Sequence, residues 1–140
     1  ASPIYRCWIS QPLEEAENER MHLMIFIQIA KPNWFERWMI ILAQALFWHF
    51  YLVLYIFFPA CAHRMVGYFE EQAVISYTDY LKQIDNGKAK NIPAPKIAIG
   101  YYGLRKTAKL RDVVLAVRQD ERGHAKVNHE MADEVRREKN

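Results

Sequence analysis

Between Glu36 and Glu70 the chain has no acidic residue, and from residue 39 to residue 62 its only polar side chains are Gln44, His49 and tyrosines. At 1.5 Å of rise per residue, such a run is long enough to cross a hydrocarbon core of roughly 30 Å. Trp34, Phe35 and Trp38 stand at one end beside Arg37, where interfacial anchors would sit. The run therefore admits three readings: a membrane span, a helix lying in one leaflet, or a helix buried in a protein core. A chain of 140 residues has little protein with which to cover a helix that is apolar all round, so membrane contact is the expectation.

The rest of the chain also reads as helix. Residues 13–30 hold no Gly or Pro and are rich in Glu, Met and Leu, and Lys31-Pro32-Asn33 stops them. A second helix is expected over 34–59, with a short break around Pro59, and a third over about 62–84, ending at "DNG". Residues 85–103 carry three Gly and two Pro and are read as a loop; a fourth helix covers about 107–137. No stretch sustains a period of two, so the fold class is all-α. The 140 residues are taken as one domain, with 34–59 as the apolar helix within it.

Composition narrows the function classes. Hydrophobic residues make up 51% of the chain, too many for disorder, and a net charge of +3 is too small to point to nucleic acid. Cys7 and Cys61 form no CxxC pair and suggest no disulfide framework. The chain opens on "ASPIYRCW", with no initiator Met, and reads as part of a longer sequence.

Two short motifs carry chemistry. Glu19 and His22 in "NERMH", and Glu121 and His124 in "DERGH", are each three residues apart on an expected helix and so share a face. Chance alone supplies roughly 0.4 such pairs in a chain of this make-up, so two solvated faces is the bland alternative. On the fourth helix, Val114, Val117, Glu121, His124 and Asn128 form one stripe running from apolar core into the pair. On the first, Glu15, Glu19, His22 and Phe26 do the same. Inward carboxylates need partners, and Glu-x-x-His from two helices with a lone Glu from others is how helical bundles hold two metal ions. The third helix offers Glu70, on one face with Ala73, Val74 and Tyr77. Tyr77 would lie near the metals, able to hydrogen-bond or to give up an electron, unless it is an ordinary core tyrosine.

The stretches "LEEAENERMHLM", "AHRMVGYFEEQAVISYT", "PAPKIAIGYYGL" and "LRDVVLAVRQDERGHAKVNH" resemble, in order, motifs of the alternative oxidases. These are cyanide-insensitive ubiquinol oxidases of the mitochondrial inner membrane, with bacterial relatives. The resemblance runs over residues 13–129. It implies a ferritin-like di-iron four-helix bundle, three helices of which are present, attached by its apolar helix to one leaflet on the matrix side. It implies two iron ions, with Glu19, His22, Glu70, Glu121 and His124 at metal positions. Tyr77 then falls on a redox-competent tyrosine, Asn18, Asp120 and His63 on residues that surround the ligands, and Gln72, Ala73 and Ser76 beside the quinol pocket.

The activity so implied oxidises ubiquinol and reduces oxygen to water without pumping protons, in a chain that can pair with a second copy. Plastid-type quinol oxidases, di-iron quinone hydroxylases and non-catalytic ferritin-like iron-binding proteins are the alternatives. The sequence departs from the family pattern at Gln72 and Ser76, at Gly100 and Tyr102 where the family has Asp and Trp, and at Gly123 inside the last helix. A sixth ligand, a Glu on a helix upstream of residue 13, has no counterpart here, and these residues by themselves are expected to have little oxidase activity.

Overall fold

Five α-helices and no sheet build residues 3–138, the part that the computed structural model describes, with side chains from residue 10 onward. The helices are α1 (Pro3–Ala30), α2 (Trp34–Phe57), α3 (Pro59–Asp85), α4 (Lys96–Tyr102) and α5 (Leu110–Glu138). The all-α expectation holds, and the four long helices lie where the sequence placed them, with three differences.

The first difference is the start of α1, ten residues before the expected point. Pro12 lies inside the helix. A proline within a helix forfeits one ladder bond, but its locked φ is itself helical, so the geometry can continue through it. The second is the α2–α3 junction. Pro59 opens α3 instead of closing α2, and Phe58 alone breaks the chain, at φ −139° and ψ 61°. Proline is favoured at a first helical position because its missing N–H has no partner to lose there. The third is α4, in a stretch expected to be a loop. Pro95 precedes it, Gly103 ends it with φ 62°, and the Gly103 N–H bonds Ile99 O, so proline start and left-handed glycine stop frame seven residues of helix.

α3 and α5 form the main pair. Buried residues recur along α5 at Leu110, Val113, Val114, Val117, Glu121, Ala125 and Asn128, the three-and-four spacing of one covered face. Leu81 and Ile84 of α3 meet Leu110 and Val114. Ile25 of α1 packs with Val113 and Val117, and Ala94, Ala98 and Ala108 close the same cluster. The 85–110 connection is clipped to this core by Ala94 N–H donating to Ala108 O at 2.9 Å and Leu110 N–H donating to Ile92 O at 2.8 Å. α4 thus sits against α1 and α5, which matters for the site below.

α2 begins with a capping box. Asn33 Oδ1 accepts from the Glu36 N–H at 3.0 Å, and Glu36 Oε2 accepts from the Asn33 N–H at 2.8 Å. The last acid before the apolar run is therefore a cap. The helix touches α3 through Phe47 against Phe69 and Tyr55 against His63, yet none of its residues is buried. Among the described residues α2 is therefore not a covered core helix. Trp34 is 74% exposed and Phe57 64%, so apolar side chains stand free at both ends. Cys61 is an exposed free thiol, while the side chain of Cys7 lies outside the described residues.

Candidate metal centre

Three helices converge on one group of donors. One ligand atom each from Glu19 (α1), Glu70 (α3), Glu121 and His124 (α5) lies within 4.8 Å of the others. His22, one turn beyond Glu19, brings Nδ1 to 3.3 Å from Glu121 Oε1 and 3.5 Å from Glu19 Oε1. His124 Nδ1 is 3.0 Å from Glu19 Oε1. The two imidazoles lie 6.3 Å apart, centroid to centroid, and both turn Nδ1 toward Glu19 Oε1. All five residues at expected metal positions meet in this one place. They differ in burial: Glu121 and His22 are covered, but the Glu19 side chain is 46% exposed. The expected inward stripe on α1 therefore opens to solvent at Glu19.

The cluster fits a cation by its own chemistry. The Nδ1 atoms of His22 and His124 are buried, and neither has an aligned hydrogen-bond partner among the described residues, although carboxylate oxygens stand close to both. A buried nitrogen lone pair facing carboxylate oxygens is a ligand set awaiting positive charge. Without one, protons take its place. Burial and the neighbouring Glu121 push the Glu70 carboxyl up to about 10. Burial opposes charge on His22, but Glu121, Glu19 and Asp120 outweigh it and raise the imidazole to about 10. His124 is raised likewise by Glu19 and Glu15 against its burial. Burial would raise Glu19, yet His124 and His22 hold it at about 2. Carboxylate and imidazole donors together suit iron, manganese or zinc more than calcium or magnesium.

Around the donors lies a polar shell. His22 Nε2 is 3.1 Å from Asp120 Oδ2 and 2.9 Å from the Tyr102 hydroxyl, and Tyr102 donates to Asp120 Oδ2 at 2.7 Å. Asn18 Nδ2 donates to Asp120 at 3.0 Å and to the Tyr101 hydroxyl at 2.8 Å. Asn18 and Asp120 thus stand beside His22. His63 lies further off: its Nδ1 meets Asn128 Oδ1 at 3.1 Å, and Asn128 Nδ2 donates to Glu15 Oε2 at 2.9 Å. The roles of Asn128, Glu15 and Tyr101 were not read from the sequence. Asn128 and Glu15 lay on the two stripes, but nothing in one dimension shows that the stripes meet.

A cavity of about 780 Å³ opens onto Glu19 and Glu70, walled by Phe26, Phe47, Trp48, Tyr51 and Val66, with Tyr77 and His63 in its lining. Tyr77 stacks on Phe26 at 5.7 Å, and burial beside Glu121 and Glu19 raises its phenol, which stays protonated. Gln72, Ala73 and Ser76 are not in this lining; Gln72 and Ser76 are exposed, and Ser76 Oγ donates to Gln72 O at 2.9 Å.

The family model of the alternative oxidases matches residues 5–133. The chain belongs to the alternative oxidase family. Over 126 residues, 90% of the chain, this family member is 56% identical to "Ubiquinol oxidase 1c, mitochondrial" of Arabidopsis thaliana. Over 122 residues, 87% of the chain, it is 56% identical to "Ubiquinol oxidase 2, mitochondrial" of Nicotiana tabacum. A fungal relative, "Ubiquinol oxidase, mitochondrial" of Batrachochytrium dendrobatidis, is 52% identical over 128 residues. The chain spans about two fifths of the length of these relatives: 38%, 41% and 40%.

Proposed function

We propose that this chain forms the metal-binding part of a ubiquinol oxidase of the mitochondrial inner membrane, with two iron ions held among Glu19, His22, Glu70, Glu121 and His124. The observation that carries the reading is the meeting of four donor atoms from three helices within 4.8 Å. The net reaction oxidises two ubiquinols to two ubiquinones and reduces one oxygen molecule to two waters. Bound iron would relay the electrons taken from ubiquinol and provide the place where oxygen is reduced.

The residues prepare that chemistry. Glu19, Glu70 and Glu121 offset the ions' charge, the histidines add neutral nitrogen donors, and Asn18 and Asp120 orient His22. The apolar cavity receives the quinol ring beside the carboxylates, where the protonated Tyr77 hydroxyl can donate to a quinol oxygen. Gln72, Ala73 and Ser76 stand outside that cavity, so a quinol seated in it would not touch them.

α2 lies in one leaflet on the matrix side. It is long and apolar enough to cross a membrane, and none of its residues is buried. Lipid relieves that exposure at about 25 cal/mol per Å² of apolar surface. A ferritin-type iron store has no use for such a helix. A second copy of the chain is the proposed protein partner.

Anaerobic reconstitution of the detergent-solubilised chain with Fe²⁺, followed by iron analysis, tests the site. Iron per chain should drop in Glu19→Ala and in Glu121→Ala; undiminished iron in both refutes the assignment. On sealed vesicles carrying the chain, protease should cut residues 86–95 and the 31–33 connection from one face only. Cuts from opposite faces would mean that α2 spans.

A further inference from the structure

Tyr102 lies on α4, outside the three helices that bring the donors together, yet its hydroxyl reaches the outer nitrogen of His22. A carboxylate can only accept, so the 2.7 Å contact between Tyr102 and Asp120 Oδ2 uses the phenol's proton. The phenol oxygen is left with lone pairs alone, and His22 Nε2 stands 2.9 Å from it. Asp120 Oδ2, 3.1 Å from the same nitrogen, also takes a hydrogen bond from Asn18. Both oxygens facing Nε2 are therefore acceptors, and both require a proton on it. With the Nε2 proton held in this way, Nδ1, across the ring and facing Glu19 and Glu121, is the nitrogen that can give up its proton to a metal ion.

We propose that Tyr102 is a positioning residue which, with Asp120, holds the proton on His22 Nε2, so that Nδ1 is the nitrogen that exchanges its proton for a metal ion. The proposal rests on the metal-site reading above and adds a fourth element to it: α4, too short to be evident in the sequence, sets the tautomer of a ligand on α1. The choice of residue type follows from the geometry. Phenylalanine could neither donate to Asp120 nor accept from His22. Tryptophan could donate to Asp120 through its indole N–H but has no lone pair for His22. Only a hydroxyl does both.

The test uses the 140-residue chain in detergent micelles as wild type, Tyr102→Phe and Tyr102→Trp, with zinc as a diamagnetic probe. Long-range ¹H–¹⁵N spectra, with His22 assigned through His22→Gln, show which ring nitrogen carries the proton; calorimetry reads zinc affinity. Wild type should show a downfield, slowly exchanging Nε2–H. Tyr102→Phe should shift that proton upfield, speed its exchange and weaken zinc binding about 10- to 100-fold. Tyr102→Trp should recover part of the affinity while exchange stays fast. Unchanged affinity and unchanged exchange in Tyr102→Phe, or an Nδ1–H form in the zinc-loaded wild type, would overturn the proposal. Should Tyr102→Phe fail to fold by circular dichroism, wild-type exchange and affinity in Tyr102→Trp would do the same. A wild type that binds no zinc overturns the metal-site reading itself, whereas the Nε2–H signal still decides the Tyr102 contact.

Discussion

Gly67 and Gly123 lie in the two helices whose packing brings Glu70 to Glu121, and one methyl group added to each should act in opposite directions. In a helix interior, Gly→Ala is worth about 1 kcal/mol in favour of Ala. At Gly123 a Cβ would meet nothing within 4 Å, so Gly123→Ala should deliver that gain undiminished. At Gly67 a Cβ would stand 2.7 Å from His129 Cε1, 2.8 Å from Nδ1 and 2.9 Å from Nε2. Carbon contacts prefer roughly 3.5–4.0 Å, so the ring must retreat by most of an ångström.

That ring is not free to retreat. Arg64 donates to its Nδ1 at 2.8 Å, its Nε2–H donates to Glu71 at 3.0 Å, and Tyr68 packs on it edge-on at 5.0 Å. Overpacking costs about 1–3 kcal/mol, and weakening two partly exposed polar contacts adds about 1 kcal/mol more. Set against the gain of about 1 kcal/mol, Gly67→Ala should destabilise by about 1–3 kcal/mol. The two variants should therefore differ by about 2–4 kcal/mol, or on the order of 10 °C in melting temperature for a chain of this size. Denaturation followed by circular dichroism in detergent measures both. Equal stabilisation by the two alanines would refute the reasoning, because helix propensity alone would then decide both sites and His129 could not be held as described.

The metal-free chain should lose stability as pH rises from about 4.5 to about 10, and more steeply above about 6.5. The folded state keeps protons on His22 and Glu70, both raised to about 10, that the unfolded chain releases near 6.5 and 4.5. Glu19, held at about 2, contributes the opposite slope only below 4.5. Zinc binding must displace those protons, so its affinity should climb over the window in which the metal-free chain weakens; melting curves of both forms against pH check this, and parallel profiles would contradict it. Asn33→Ala removes the cap of α2 and should cost about 1 kcal/mol, read as fraying of that helix by hydrogen exchange at residues 34–37. Asn128→Leu strips both the His63 Nδ1 contact and the donor to Glu15 and should cost about 1–3 kcal/mol by denaturation; a neutral result would mean that water serves those groups equally well.

Four features were legible in one dimension: the helices, the uncovered apolar run, the inward stripe of α5 and the doubled Glu-x-x-His. Each depends on a period or spacing within a single helix, where residues three and four apart must share a face whatever lies opposite. α4 escaped because seven residues carry too little period to stand out, and Gly100 and the prolines near it read as breakers. Contacts between elements were the province of tertiary structure. It decided that Glu19 stands half open at a cavity mouth while Glu121 is sealed, since burial depends on what packs alongside and not on the helix that carries the residue. It also joined Tyr102 to His22 across 80 positions and Asn128 to Glu15 across 113. Sequence determines which residues can share a face; only the packing of one face against another determines which of them touch.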